Sequence, residues 1–68
     1  MTFEQKLKAL AGMRGVSMAQ IAKAIGQSAQ NFHKKLKRDT FTLDERKQIA
    51  QVLEAEFVFE FRTKDFTI

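Results

Sequence analysis

No cysteine occurs in the chain, which excludes disulfides and thiolate metal sites. Histidine is scarce too. His33 stands alone, and one imidazole builds a zinc site only with several carboxylates beside it. Nor does His33 have a Ser, Cys or acidic residue placed as a nucleophile–base pair, so the chain reads as a non-enzyme without metal, cofactor or small-molecule substrate. The three glycines, Gly12, Gly15 and Gly26, are scattered. They form no phosphate-cradling loop and read as helix punctuation. No run of roughly 18 apolar residues is present, and no apolar leader-like segment opens the sequence, so a cytoplasmic protein is expected.

What is present must hold the fold with little help. Sixty-eight residues make one small domain, and a chain of this size buries only about 60% of its unfolded surface. Stability therefore rests on apolar packing, alone or with a second copy of the chain. The formal net charge of +4 is unevenly spread. Positions 1–40 hold eight basic residues against Glu4 and Asp39, a balance of +6, while 41–68 hold four basic and six acidic residues, a balance of −2. The cationic part is the one expected to meet a polyanion.

In chain order, Thr2 and Gln5 have capping-box spacing ahead of a helix over 2–14. Its stripe is Phe3, Leu7 and Leu10 with Met13 adjoining, and Gly15 ends it. Arg14 and Lys8 lie off that stripe, as phosphate contacts or as a solvated face. Ser17 and Gln20 repeat the capping box for a second helix, Met18–Ile25, with Ile21, Ala22 and Ile25 inward. Gly26 closes it, and Ser28 caps a third helix, Ala29–Lys37. The tight Gly26–Ser28 connection forces a sharp angle between the two. Phe32 and Leu36, one turn apart, give the third helix its buried face. Gln30, Asn31, His33, Lys34, Lys37 and then Arg38 occupy the others. Thr42 and Glu45 open a fourth helix over Leu43–Glu54, with Asp44 and Glu45 suiting its positive end. Leu43, Ile49, Ala50, Val52 and Leu53 are its core candidates, and Phe41 joins them.

After Ala55 the period changes to two. Glu56–Arg62 reads as one strand with Phe57, Phe59 and Phe61 on one face and Val58, Glu60 and Arg62 on the other. Thr63–Asp65 supplies a turn, and Phe66–Ile68 a short return strand. A lone hairpin is marginal in water and its edge is open. The Phe face must therefore pack on the helices, and the tail either completes a dimer by strand addition or covers a monomer's core. The expected organisation is a helical domain over 1–55 followed by a β tail over 56–68.

The stretch S-M-A-Q-I-A-K-A-I-G-Q-S-A-Q-N-F-H-K-K-L-K-R, Ser17 to Arg38, resembles the helix-turn-helix of the phage repressor and Cro group, the xenobiotic-response-element type. Ile21-Ala22, Gly26, Ser28 and Phe32 carry the likeness, flanked by L-K-A-L before and I-A-Q-V-L after, so that it covers residues 2–54. The resemblance implies a mainly α, four-helix repressor-like fold with a C-terminal β-strand or hairpin. It further implies a homodimeric DNA-binding transcriptional regulator, a repressor, of bacterial, phage or mobile-element origin. The third helix would lie in the major groove of duplex DNA. Gln27, Ala29, Gln30, His33 and Lys34 would face bases, with Gln30 placed for bidentate bonds to adenine. Ser17, Ser28, Asn31, Lys37 and Arg38 would meet phosphates. Phe57, Val58, Phe59 and Phe61 would form the dimer interface.

Two departures from the family pattern concern the reading helix. Met18 stands where members often carry a glutamine that contacts phosphate and braces the third helix, with Gln20 the nearby substitute. Lys35 stands where an apolar residue is common, and Leu36 takes that role. The rival reading keeps the fold and changes the use: a protein-interaction or antitoxin-like module, with the K-K-L-K-R run solvated and the Phe-rich tail as partner surface. RNA binding is disfavoured, since no aromatics interleave with the cations.

Overall fold

A computed structural model describes residues 2–57 and 60–68. Four helices form in succession: α1 (Phe3–Arg14), α2 (Met18–Ala24), α3 (Ala29–Arg38) and α4 (Leu43–Val52). Each starts on a hydroxyl side chain that accepts a backbone N–H of its own first turn: Thr2, Ser17, Ser28 and Thr42. At Thr2, Ser17 and Thr42 the reciprocal bond is also made, by Gln5, Gln20 and Glu45, so all three expected capping boxes are present.

The helix ends are equally regular. Gly15 and Gly26 are left-handed, with φ of 68° and 78°, the conformation that glycine adopts without a Cβ penalty. Asp39 and Glu54 take the same role at φ 55°. At all four ends a backbone N–H just past the left-handed residue, or at Gln27 past Gly26, closes back onto the last helical turn at 2.8–3.1 Å. The chain is thereby turned sharply four times within 55 residues.

Apolar residues from every helix meet in one core, with Leu7, Leu10, Ile21, Phe32, Ile49 and Leu53 almost fully buried. Phe3, Ala11, Ala22, Leu36, Phe41 and Ala50 complete its helical part. Two expected core residues are outside it. Met13 is 62% exposed, because the stripe through Phe3, Leu7 and Leu10 continues at Ala11 and leaves Met13 well round the helix. Leu43 is 50% exposed at the first position of α4, although it lies two turns before Ala50 on the same face. Val52 and Ile25 are half-buried at the core's edge.

The tail differs from the expected single strand. Glu56–Phe57 (β1) pairs antiparallel with Phe61–Arg62 (β2), Glu56 opposite Arg62 and Phe57 opposite Phe61. The chain reverses inside the segment read as continuous. Alternation could not separate the two, because a strand and a hairpin that sets Phe57 against Phe61 both put the pair on one face. The expected turn and return do form: Thr63 Oγ1 accepts the N–H groups of Asp65 and Phe66. Phe61 and Ile68 then exchange two backbone hydrogen bonds, at 2.7 and 2.9 Å. Val58 and Phe59, assigned above to an interface, lie outside the described residues.

Phe57 and Phe61 close the core over Phe3, whose ring centroid lies 5.6 and 5.4 Å from theirs. Phe41 joins Phe3 to Phe32, at 5.9 and 5.0 Å. Arg46 covers this cluster, its guanidinium carbon 4.6 Å from the Phe3 centroid, one amine 3.0 Å from Asp39 Oδ1 and Nε donating to the Phe41 carbonyl. Among the described residues no helix is long and apolar enough to cross a membrane.

Candidate nucleic-acid interface

The surface of α3 is set by what lies beneath it. Phe32 and Leu36 are buried one turn apart, so the 3.6-residue period sends their neighbours outward. Ala29, Gln30, Asn31, His33, Lys34, Lys37 and Arg38 are all exposed. Gln30, Lys34 and Arg38, spaced by four, form a ridge opposite the buried pair. No acidic residue occurs between Glu4 and Asp39. Among the described residues, neither Lys34 nor Arg38 is within ion-pair distance of a carboxylate. Ser17 and Ser28, also exposed, stand at the N-terminal ends of α2 and α3, their oxygens accepting the N–H groups of Gln20 and Asn31 at 3.1 Å.

Two expected contact residues are turned elsewhere. Gln27 is half-buried, its amide donating to Glu45 Oε2 on α4. It therefore belongs to the seam between the α2–α3 turn and α4, and not to the outer face. Its side-chain Oε1 is buried without a hydrogen-bond partner among the described residues. Lys37 is exposed but reaches sideways to α1, with Nζ 2.8 Å from Glu4 Oε2, which Lys8 shares at 2.8 Å. Phe57 and Phe61 are spent on the chain's own core. An interface through the tail would then be made by backbone edges and not by these two rings.

Two carboxylates flank α3, and the sequence pattern reveals neither one's contacts with it. Glu45 Oε1 accepts the Thr42 N–H at 2.9 Å, completing the cap of α4, while Oε2 lies 2.5 Å from Lys35 Nζ. Only 15% of its side chain is exposed. The Lys35 ammonium, the Thr42 N–H and the Gln27 amide together hold its carboxyl down, from 4.5 to about 2. This also accounts for a lysine where an apolar residue was expected: Lys35 is the α3 end of a polar seam with α4. Glu4 on α1 is likewise lowered to about 2, by hydrogen bonds first from Lys37 and then from Lys8. The capping-box spacing marked Glu45 as a cap. Its second oxygen's partners come from other helices, and no local pattern announces them.

Two further side chains resolve open alternatives. Arg14 is exposed, and its Nε donates to the Leu53 carbonyl at 3.1 Å, tying α1 to the end of α4. Gln20, the substitute brace, is engaged in its own helix's cap, accepting the Ser17 N–H at 2.8 Å. Met18 packs against the core beside the first turn of α3. Among the described residues no group of three or more His, Cys, Asp or Glu side chains is placed to hold a metal ion. Comparison with protein-family models, with curated proteins and with solved structures found no match.

Proposed function

We propose that the chain is a helix-turn-helix protein that binds duplex DNA sequence-specifically and regulates transcription, most simply as a repressor. In this reading α3 lies in the major groove. The observation that carries it is the outer ridge of α3: Gln30, Lys34 and Arg38 stand exposed on a helix anchored from below by Phe32 and Leu36, on a stretch without acidic residues. An amide flanked by cations is what reading an adenine edge beside phosphates requires. Gln30 and Lys34 face bases, with Ala29 and His33 beside them. Arg38, Asn31, Ser28 and Ser17 are the phosphate side. A second copy completes the reading head, because one helix of this length covers one half-site. Strand addition at an outer edge of the tail's sheet joins the two.

Binding to duplex DNA across a salt series tests this directly. A log–log slope of roughly −3 to −4.5 per chain, and about twice that for the dimer, is expected if the exposed cations of each chain neutralise about three to five phosphates. Absence of binding at low salt sinks the proposal and leaves the interaction-module reading in its place.

A further inference from the structure

One carboxylate on α4 holds both the turn before the reading helix and the helix itself. Glu45 Oε2 accepts from the Gln27 amide, in the turn between α2 and α3, and lies 2.5 Å from the Lys35 ammonium on α3. Its other oxygen, Oε1, stays on the cap of α4, accepting the Thr42 N–H at 2.9 Å. We infer that Glu45 is a positioning residue for base reading: through Gln27 and Lys35 it sets the roll of α3 about its own axis, and so which outer side chains meet base edges. The inference rests on the DNA-binding proposal and adds to it the group that aims the helix.

Roll is the freedom that the apolar anchor leaves. Phe32 and Leu36 fix α3 at two points along one stripe. Apolar contact is non-directional, so the stripe resists lifting better than it resists turning. A roll of about 20° carries a side-chain tip, at a radius of about 5–6 Å, through about 2 Å, enough to break a hydrogen bond to a base. Lys35 and Lys37 follow Leu36 on either side in sequence and therefore lie on opposite flanks of the stripe. Lys37 meets Glu4 at the surface, with 53% of the lysine side chain exposed, where an ion pair restrains little. The Lys35–Glu45 pair is only 30% and 15% exposed and shares its oxygen with the Gln27 amide. It is the stiffer tether.

Gln27 is keyed to the same group. It follows Gly26, the left-handed residue that turns the chain, and precedes Ser28, the cap of α3. Turning its amide over would set Oε1 against Glu45 Oε2, oxygen against oxygen. As it stands, Oε1 is buried with no hydrogen-bond partner among the described residues, and a buried acceptor left unmet costs stability. The side chain's one hydrogen bond among those residues is the one to Glu45. Its contact places the turn more than it stabilises the fold.

The test uses the intact protein, a duplex that the wild type selects from a random pool, and a scrambled duplex. Gln27→Met and Lys35→Met each remove one donor to Glu45, keep the side chain's reach and leave the cap of α4 in place. Gln27→Met leaves the net charge unchanged and deletes the orphaned acceptor, so its melting temperature should stay near that of the wild type. Lys35→Met removes one positive charge per chain. Both should lower the ratio of specific to scrambled affinity by about tenfold per half-site, the loss of one base hydrogen bond. Both should also weaken the preference for the adenine read by Gln30. The double variant should lose little more than the worse single one, because the two act through one carboxylate. Circular dichroism at the assay temperature shows which variants are folded, and if Lys35→Met is not, Gln27→Met alone decides. An unchanged ratio in folded Gln27→Met overturns the inference and leaves the DNA-binding proposal standing. A loss confined to a base position other than the one read by Gln30, and fully additive with Lys35→Met, marks Gln27 as a direct reader and also overturns it. If the wild type selects no duplex, both proposals fall together.

Discussion

The edge of α3 that faces α4 and the ridge that faces away from the core both carry cations, but only the edge has a carboxylate to meet them. Lys35 is half-buried and paired with Glu45 at 2.5 Å. Lys34, its neighbour in sequence, is exposed and pairs with no carboxylate among the described residues. On the other flank Lys37 is bound by Glu4. The K-K-L-K-R run is thus two sets of residues with different work. Lys35 and Leu36 fasten the helix, Lys34 and Arg38 meet no carboxylate among the described residues, and Lys37 stands between, held by Glu4. Charge counting along the sequence treats all of them alike. Packing separates them.

Substitutions on the inner and outer sides should therefore fail differently. The largest effect is expected at Phe32, which is buried at the contact with Phe41. Phe32→Ala should cost about 3–5 kcal/mol, a large fraction of what a domain of this size has to lose, and thermal melting should show a mostly unfolded chain. A stable variant with intact α3 would contradict the account of how the ridge is held.

Glu45→Ala comes next. It removes half of the capping box, strands the Gln27 amide and leaves Lys35 half-buried without its partner, together roughly 1–3 kcal/mol. The same carboxylate makes stability depend on pH. Its folded value is about 2, below the ordinary 4.5. Its contribution is therefore present above pH 4.5 and lost as pH falls from there toward 2. Melting temperatures measured across that window should drop in the wild type and drop less in Glu45→Ala. Parallel curves would show that Glu45 is not the coupling group.

The smallest effect on stability, and a distinct one on binding, belongs to Glu4. Its pairs with Lys37 and Lys8 lie on the surface, where ion pairs contribute little. Glu4→Gln should leave the melting temperature almost unchanged. It frees Lys37 for a phosphate, so the salt dependence of DNA binding should steepen by about one unit of log–log slope per chain. An unchanged slope would place Lys37 outside the interface altogether.

How much of this was legible in sequence depended on how local the cause was. All three capping boxes, the cap at Ser28 and the glycine turns at 15 and 26 are patterns within four residues, and each forms as read. The buried stripes were legible for the same reason, except at Met13, which lies round the helix from its stripe, and at Leu43, where periodicity cannot say how far along a helix the core extends. The left-handed ends at Asp39 and Glu54 were missed because glycine announces that conformation strongly, aspartate only weakly and glutamate not at all. The hairpin inside 56–62 was missed because alternation is the same on either side of a tight reversal. At the candidate interface the outward set around Gln30 and Lys34 followed from helical spacing. The inward turn of Gln27, the capture of Lys37 and the seat of Arg46 over Phe3 depend on residues many positions away. Nothing in the neighbouring sequence encodes them.

The central claim, that the outer ridge of α3 reads base sequence, is tested most directly by selecting duplexes from a random pool with the wild-type chain and with Gln30→Ala in parallel. The wild type should enrich a palindromic consensus whose half-sites lie about one helical turn apart. Gln30→Ala should fold normally, bind the same consensus about 1–3 kcal/mol more weakly, and lose its preference at a single adenine in each half-site. An identical consensus from both proteins, or no enrichment with either, would contradict it.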